Sequence, residues 1–363
     1  MRNVEGKPLT LPFLSDVESL SSTIRLDRAS EEEIERVSRV FPLRVPPFYA
    51  GLMDPENPLC PIRLQAVPTT EELSETGVAD PLGEASIALT PAFFKRYSGR
   101  GVFLTTAECA MYCRFCNRRR LVGRGFDPAV FREETLAFIE TCEEVREVIL
   151  SGGDPLMLDP IELDHILSRL RRIDHVKVIR LSSRMPVVFP ERVEIHREAI
   201  KRHAPLWFIV HINHPKEVTP EFVEAINGLR DSGASCISQT VLLRRVNDCR
   251  HILARLFELL VEAGVKPYYL FQLDDVTGAT HFKVRIEEGL SIMKGLRAAA
   301  SGLCMPQYAL DITGGLGKVP LEGPYLGPRA GDRVRLENIH GQQGTYLDDG
   351  KESKCNSCGI CKS

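Results

Sequence analysis

The chain has 363 residues, 43% of them hydrophobic, so it can bury a sizeable core in one large domain with extensions. Its formal net charge of -3 gives no electrostatic case for nucleic acid or an anionic membrane surface as a partner. No apolar run can span a bilayer and the first residues lack a secretory signal pattern, so we expect a cytoplasmic protein without a membrane partner.

Residues 1–97 contain charged segments with helical periodicity, such as 30–40, separated by proline-rich links. This pattern predicts a helical N-terminal extension. Residues 98–300 contain six apolar, β-rich runs, which begin at Val102, Val145, Val176, Leu206, Cys236 and Pro267. Helical periodicity recurs between them, at 131–142, 163–171, 220–231 and 251–263. The alternation predicts a parallel sheet, and six units rather than eight indicate an α/β fold, an incomplete three-quarter (β/α)6 barrel.

Functional side chains of such barrels lie at the carboxyl ends of the strands. Distinctive residues stand there: a cysteine loop after the first run, Ser151-Gly152-Gly153-Asp154 after the second, and His211, Gln239 and Asp274 in or after the last three. The two adjacent glycines suit a loop whose backbone approaches a ligand closely. An ordinary strand-to-helix turn has the same composition and is the alternative.

Cys109, Cys113 and Cys116 stand in a C-x3-C-x2-C spacing within the segment TTAECAMYCRFCNRRR. Three thiolates at this spacing can bind three irons of a [4Fe-4S] cluster and leave the fourth iron open to a ligand. The alternatives are a structural zinc ion, which usually has paired C-x2-C motifs and four closed ligands, and three buried structural cysteines. We favour the cluster, because the spacing of the three cysteines is specific for it. The cysteine content of a cytoplasmic chain also indicates metal or cluster binding rather than disulfides.

Residues 301–363 contain a glycine-rich segment, DITGGLGKVP, that presents Lys318. A flexible loop of this kind lets an amine reach a buried aldehyde and form a Schiff base, although an exposed lysine in a surface turn is the commoner case. The segment 323–350 resembles a connector with short strands. It leads to Cys355, Cys358 and Cys361, spaced C-x2-C-x2-C, which predict a C-terminal metal-binding tail.

The cysteine loop, with Phe115 before its last cysteine, resembles that of the radical S-adenosylmethionine superfamily. A longer set of strings resembles the lysine 2,3-aminomutase family in order and separation: ECAMYCRFCNRRR, SGGDPL, SRMPVV, HINHP, QTVLLRRVNDC, PYYLFQLD and GGLGKVP. The resemblance spans about residues 80–320. It implies an isomerase that interconverts L-lysine and L-β-lysine by a radical amino shift. It also implies a [4Fe-4S] cluster, S-adenosyl-L-methionine and pyridoxal 5′-phosphate as cofactors.

The resemblance also implies roles for individual residues. The S-adenosylmethionine site would be formed by Ser151, Gly152, Gly153, Asp154, His211 and Gln239. Lys318 would bind pyridoxal phosphate covalently, and Arg96, Tyr97 and Arg100 would neighbour it. The substrate would be bound by Arg118 at its carboxylate and by Asp274 and Asp311 at its distal ammonium group. An acidic pair favours lysine over glutamate, whose second carboxylate it would repel.

In the same family, tail cysteines bind zinc together with a cysteine of a neighbouring subunit, which here is Cys249, so the resemblance implies a homo-oligomer. The tail departs from the family in the spacing of its first two cysteines, which leaves a second iron-sulfur cluster as the alternative. An electron donor such as flavodoxin or ferredoxin would reduce the cluster. The remaining cysteines, Cys60, Cys142, Cys236 and Cys304, have no such setting.

Three alternative functions stay open. A close relative supplies β-lysine for the modification of elongation factor P, and another acts on glutamate. From a different class, the chain could be a noncatalytic iron-sulfur redox protein. That reading leaves Lys318, Arg118 and the acidic pair without a role.

Overall fold

The computed structural model describes residues 13–321, 326–338 and 341–347. The chain divides into two compact units, Met1–Leu321 and Glu322–Ser363. The α-helices are Val17–Ser21 (α1), Arg28–Ser38 (α2), Pro47–Ala50 (α3), Pro61–Leu64 (α4), Arg132–Thr141 (α5), Pro160–Arg171 (α6), Met185–Val188 (α7), Arg197–Arg202 (α8), Pro220–Asp231 (α9), Arg250–Glu262 (α10) and Ile286–Ala299 (α11). The strands are Ala88–Thr90 (β1), Phe93–Tyr97 (β2), Arg100–Thr106 (β3), Glu147–Gly152 (β4), Val178–Ser183 (β5), Leu206–His211 (β6), Ala234–Leu242 (β7), Lys266–Gln272 (β8), Gln307–Ile312 (β9), Gly317–Pro320 (β10), Leu326–Ala330 (β11), Arg333–Glu337 (β12) and Gln343–Leu347 (β13).

The first unit contains one mixed sheet of ten strands, in the order β1 to β10. Strands β3 to β9 are parallel, and β1, β2 and β10 each run antiparallel to a neighbour. The six predicted runs are β3 to β8. The seventh parallel strand, β9, was not predicted, because its apolar run is only Tyr308-Ala309-Leu310 before the polar Asp311.

The sheet is so strongly curled that its two ends meet. The backbone N–H of Lys318 in β10 donates to the hydroxyl of Tyr97 in β2 at 3.0 Å. A guanidinium nitrogen of Arg96, also in β2, lies 3.7 Å from a carboxylate oxygen of Asp311 in β9. Neighbouring strands are about 4.8 Å apart, so β2 and β10 would be about 38 Å apart in a flat sheet. Curling therefore encloses a space between the first and last strands.

The predicted helices between the strands are present as α5, α6, α9 and α10, and their sequences explain their ends. Asp159 caps α6 in a capping box with Glu162, and Pro160 is its first residue. Thr219 caps α9, which also starts at a proline. Each helix buries one apolar face; in α10 that face is Leu253, Leu256, Phe257 and Leu260.

The stretch before residue 98 is helical in its first part only. Helices α1 to α4 contribute buried side chains, such as Leu20, Ile34 and Tyr49, to the main core. Residues 88–97 instead form β1 and β2, so the expected helical extension does not reach residue 97. The reason is that Phe93 packs its buried ring on Gly101 of β3, with which β2 forms an antiparallel pair.

The second unit contains the short strands expected of the connector, β11 to β13, in one antiparallel sheet. The three tail cysteines lie outside the described residues. Among the helices of the described chain, none has the length and apolar character needed to cross a bilayer.

Gly101 tests the packing of β2 on β3. A Cβ at this position would lie 2.1 Å from the buried ring of Phe93, so Gly101→Ala should lower the free energy of unfolding by about 1–3 kcal/mol. Gly302→Ala is the control, because a Cβ there meets no atom within 4 Å; it should change stability by less than about 1 kcal/mol. Urea denaturation followed by circular dichroism measures both. Equal stability of the two variants would contradict the described packing.

Candidate active site

A cavity of about 360 Å³ lies inside the curled sheet. Strand residues from β2 to β10 line it, together with the cysteine loop after β3. Every residue predicted for the cluster, S-adenosylmethionine, pyridoxal phosphate and substrate is among its lining residues. Of the predicted site residues in the described chain, only Cys249 is not. The structure therefore brings together residues that the sequence places as far apart as Arg96 and Lys318.

The three cysteines of the loop are free and partly buried. Burial, with the neighbouring thiols adding to it, raises the pKa of Cys109 well above its ordinary value and that of Cys116 to about 11. A cysteine binds a metal as its thiolate, so positive charge is needed at these positions to stabilise the deprotonated sulfurs against burial. The irons of a cluster supply such a charge, and the loop fits a [4Fe-4S] cluster in this respect.

Arg184 is a second source of positive charge at the cysteine loop, and it was not predicted. Its Nη1 lies 2.9 Å from the Sγ of Cys113. Its Nη2 donates to Glu217 at 2.7 Å and to Gln65 at 2.8 Å, both fully buried. The hydroxyl of Tyr49 also donates to Glu217, at 2.7 Å. This network fixes the guanidinium beside one of the three sulfurs.

Two observations bear on zinc. Within 13–321, 326–338 and 341–347, no three His, Cys, Asp or Glu side chains are grouped to hold one metal ion. A zinc ion needs its ligands grouped around one point, whereas in a [4Fe-4S] cube each thiolate binds a different iron. Cys249 stands at the start of α10, partly buried and free. Its predicted partners Cys355, Cys358 and Cys361 lie outside the described residues.

A buried ion triad holds the cysteine loop in place. Arg114, the residue after Cys113, is fully buried, and its Nε and Nη2 donate to Glu72 at 2.8 and 2.6 Å. Arg119 donates to the same carboxylate at 2.7 Å. Arg114 also donates to the backbone carbonyls of Phe41 and Pro42. The loop is thereby attached to the segment 41–72.

The Ser151–Asp154 turn packs directly on the cysteine loop. A Cβ at Gly153 would lie 2.1 Å from the carbonyl oxygen of Glu108, so only glycine fits there. The carboxylate of Asp154 is buried and accepts hydrogen bonds from Ser183 at 2.8 Å and from the backbone of Arg184 at 2.8 Å. Burial raises its pKa. Asp154 therefore joins the ends of β4 and β5, and its contact with a cofactor stays a prediction.

His211 offers the cavity an unused polar atom. It ends β6 in register with Gln239 of β7, and its ring meets that of Phe115 edge-on at 5.5 Å. Its Nε2 is buried and has no hydrogen-bond partner in the described part of the chain. Burial, and then the charge of Arg184, lower its pKa to about 3, so the imidazole is neutral. These properties fit a polar cofactor such as S-adenosylmethionine.

Lys318 lies at the opposite end of the sheet from the cysteine loop. Its Nζ is 2.5 Å from a carboxylate oxygen of Asp311 and 4.1 Å from the ring centroid of Phe271. The guanidinium of Arg100 lies 4.1 Å over the ring of Tyr97. Arg96 has a buried Nε without a hydrogen-bond partner among the described residues. This orphan donor, close to an amine, fits a phosphorylated aldehyde such as pyridoxal phosphate.

Asp274 and Arg118 complete the cavity wall. Burial raises the pKa of Asp274 to about 6; Asn117, which donates to it at 2.9 Å, lowers the pKa, and the nearby Asp311 raises it. Arg118 donates from Nε to Glu84 at 2.9 Å and from Nη1 to Ser151 at 3.0 Å. Glu84 and Asn117 were not predicted, because a single glutamate or asparagine carries no motif.

The comparisons with known proteins agree with this geometry. Residues 103–257 match the model of the Radical SAM superfamily, which defines the class of protein. The chain is 36% identical over 353 residues to L-lysine 2,3-aminomutase of Clostridium subterminale. This alignment covers 96% of this chain and 85% of that protein. It is 38% identical to L-lysine 2,3-aminomutase of Bacillus subtilis, over 91% of this chain and 71% of that protein. It is 36% identical to glutamate 2,3-aminomutase of Clostridioides difficile, over 91% of this chain and 79% of that protein. The chain belongs to the lysine 2,3-aminomutase family.

Asp274 predicts a pH dependence of stability. In the folded chain its pKa is about 6, whereas an unfolded aspartate has a pKa of about 3.9. Between these values the unfolded chain binds fewer protons, so the free energy of unfolding falls as pH rises. From about pH 4 to about pH 7, wild type should lose on the order of 2–3 kcal/mol relative to Asp274→Asn.

Urea denaturation at the two pH values measures this difference. The control is Asp275→Asn, which changes the neighbouring residue. Asp275 pairs with Lys283 and its side chain is 40% exposed, so the stability of this variant should change with pH as that of wild type does. The same pH slope in wild type and Asp274→Asn would show that Asp274 does not titrate as described.

Proposed function

We propose that the protein is an L-lysine 2,3-aminomutase, an isomerase that interconverts L-lysine and L-β-lysine. One observation supports the proposal: a single cavity is lined by the three-cysteine loop, by Lys318 and Asp311 at the last strands, and by Asp274. Radical generation and amino-group chemistry need such a shared space, because the radical must reach the bound amino acid directly. Membership in the family supports the same reading.

The cysteine end would hold the first cofactor pair. Cys109, Cys113 and Cys116 would bind the [4Fe-4S] cluster, and S-adenosylmethionine would lie along the Ser151–Asp154 turn with His211 and Gln239. When bound, this pair supplies a 5′-deoxyadenosyl radical. The residues of the chain position it: Arg184 and the ion triad fix the loop, and the neutral His211 presents an unpaired nitrogen.

The opposite end would hold pyridoxal phosphate on Lys318, with its phosphate near Arg96, Tyr97 and Arg100. When bound, this cofactor supplies a conjugated ring over which an unpaired electron can spread. Lys318 now forms an ion pair with Asp311. With pyridoxal phosphate held on its amine, Lys318 would offer Asp311 less positive charge, and Asp311 would be able to pair with another cation.

Charge would select the substrate. Arg118 would bind the α-carboxylate, and Asp274 and Asp311 would bind the distal ammonium group of lysine. Glutamate would instead bring a second carboxylate towards two acids, which disfavours it. Apolar side chains in the same wall, such as Met111, Phe115 and Val241, would keep water from a reactive radical.

Further parts of the proposal concern the whole protein. We propose that strands β3 to β8 and their helices, within residues 98–300, form a three-quarter (β/α)6 barrel, which β1, β2, β9 and β10 extend at its two edges. The helical part of residues 1–97 would cover this barrel, and 301–363 would follow it. Cys249 and the tail cysteines would bind zinc between subunits of a homo-oligomer. A flavodoxin or ferredoxin would reduce the cluster. A cytoplasmic location suits thiolate ligands, and the eight described cysteines are all free.

The activity is tested with protein purified without oxygen, reconstituted with iron and sulfide, and given S-adenosylmethionine, pyridoxal phosphate, a reductant and L-lysine. Wild type should form β-lysine and Lys318→Ala should form none, because the cofactor loses its covalent attachment. Lys294→Ala, an exposed lysine of α11, is the control and should keep activity. Product from L-glutamate but not from L-lysine would move the assignment to the glutamate branch.

The acidic pair gives a separate prediction. In Asp274→Asn, kcat/KM for L-lysine should fall at least about 100-fold, because losing one partner of a buried ion pair costs about 3 kcal/mol or more. Asp275→Asn should remain within a few-fold of wild type. Retained activity in Asp274→Asn, with cluster and pyridoxal phosphate bound, would remove Asp274 from the substrate site.

A further inference from the structure

Glu84 is a buried carboxylate that binds two arginines at the cavity wall. It is 3% exposed. Its Oε1 accepts from Nε of Arg118 at 2.9 Å and lies 2.8 Å from Nη2 of the same guanidinium. Its Oε2 accepts from Arg120 at 3.2 Å, and Arg120 also pairs with Asp80 at 3.2 Å. The orientation of Arg118 is therefore set by Glu84 on one side and by Ser151, at 3.0 Å, on another.

These contacts leave part of Arg118 available. A guanidinium has five N–H groups. One on Nε and one on Nη2 face Glu84, and one on Nη1 faces Ser151. Among the described residues this leaves at least one N–H on each terminal nitrogen. Donors on both terminal nitrogens can bind the two oxygens of a carboxylate.

The segment 80–84 that carries Glu84 also supports the Lys318 loop. The carbonyl of Pro81 accepts from the backbone N–H of Gly314 at 2.9 Å. The carbonyl of Leu82 accepts from Arg96. A Cβ on Gly83 would lie 3.2 Å from the backbone of Gly314, so the two loops are in close contact. One short segment thus holds both Arg118 and the loop that precedes Lys318.

We propose that Glu84 is a positioning residue that holds the guanidinium of Arg118 in place for the α-carboxylate of the substrate. The proposal rests on the proposed function, which assigns the α-carboxylate to Arg118. The α-carboxylate and α-amino group of one amino acid are separated by a single carbon. Arg118 and Lys318 must therefore be fixed relative to each other, and the shared segment 80–84 does this.

The test compares binding of L-lysine with binding of L-lysinamide, which lacks the carboxylate charge. Each is titrated into full-length protein loaded with pyridoxal phosphate, and the visible absorption of the bound cofactor reports binding without turnover. Glu84→Asp keeps the charge and shortens the side chain, and Glu84→Gln keeps the shape and removes the charge. The controls are Glu144→Asp and Glu144→Gln, since Glu144 forms an exposed ion pair with Lys95 outside the cavity.

Wild type should prefer L-lysine, and both Glu84 variants should lose at least about tenfold of that preference, while the Glu144 variants keep it. A merely structural role would weaken both ligands alike and leave the preference unchanged, which would overturn the proposal. A stronger preference in Glu84→Gln would also overturn it, because Glu84 would then only reduce the charge of Arg118.

Three further results are decisive. If both Glu84 variants fail to fold, the double variant Glu84→Gln with Arg120→Gln removes one charge of each sign from this ion-pair network and must lose the same preference. If wild type binds L-lysine with the expected preference but forms no β-lysine, the proposed function fails while the role of Glu84 is still decided by the titration. A wild type without any preference for L-lysine overturns the role of Glu84.

Discussion

The buried carboxylate of Glu72 is the constraint on which the cysteine loop depends. It binds Arg114 and Arg119, two residues of that loop, and its side chain is 1% exposed. The ring of Phe41 lies 4.6 and 4.3 Å from the two guanidinium groups. Removing one partner of a buried ion pair costs about 3–5 kcal/mol, so the loop is held strongly. Two cations against one carboxylate also leave positive charge beside the loop, and the charge of Arg119 opposes the rise that burial causes in the pKa of Cys116.

Curling of the sheet brings Lys318 to the same cavity as this loop. The loop follows β3, whereas Lys318 lies on β10, and only a curled sheet brings both ends to one cavity. The contacts of Tyr97 with Lys318 and of Arg96 with Asp311 join the first strands to the last. The same contacts that close the sheet therefore also build the lysine end of the site.

Local sequence patterns predicted much of this structure. Periodicity identified β3 to β8 and four of the helices, because the apolar spacing of a strand or a helix is visible within a short stretch of consecutive residues. Cysteine spacing and the glycines before Lys318 marked both ends of the site for the same reason. The roles proposed for Asp274 and Asp311 came from family resemblance, since an isolated aspartate carries no local signal.

The residues and the strand that were not predicted depend on contacts with residues distant in the sequence. Glu84 contacts Arg118, 34 residues away, and Arg184 contacts Cys113, 71 residues away. Neither contact follows from spacing, because it exists only after the sheet has curled. Strand β9 was missed since its apolar run is short and its neighbours in space supply the burial.

The measurement that tests the shared cavity most directly uses L-lysine deuterated at the β carbon, with oxygen-free reconstituted enzyme. The account predicts that the deuterium remains in the β-lysine and S-adenosylmethionine pool, because both sites open into one enclosed space. Release of the deuterium into water, with none in S-adenosylmethionine, would contradict it.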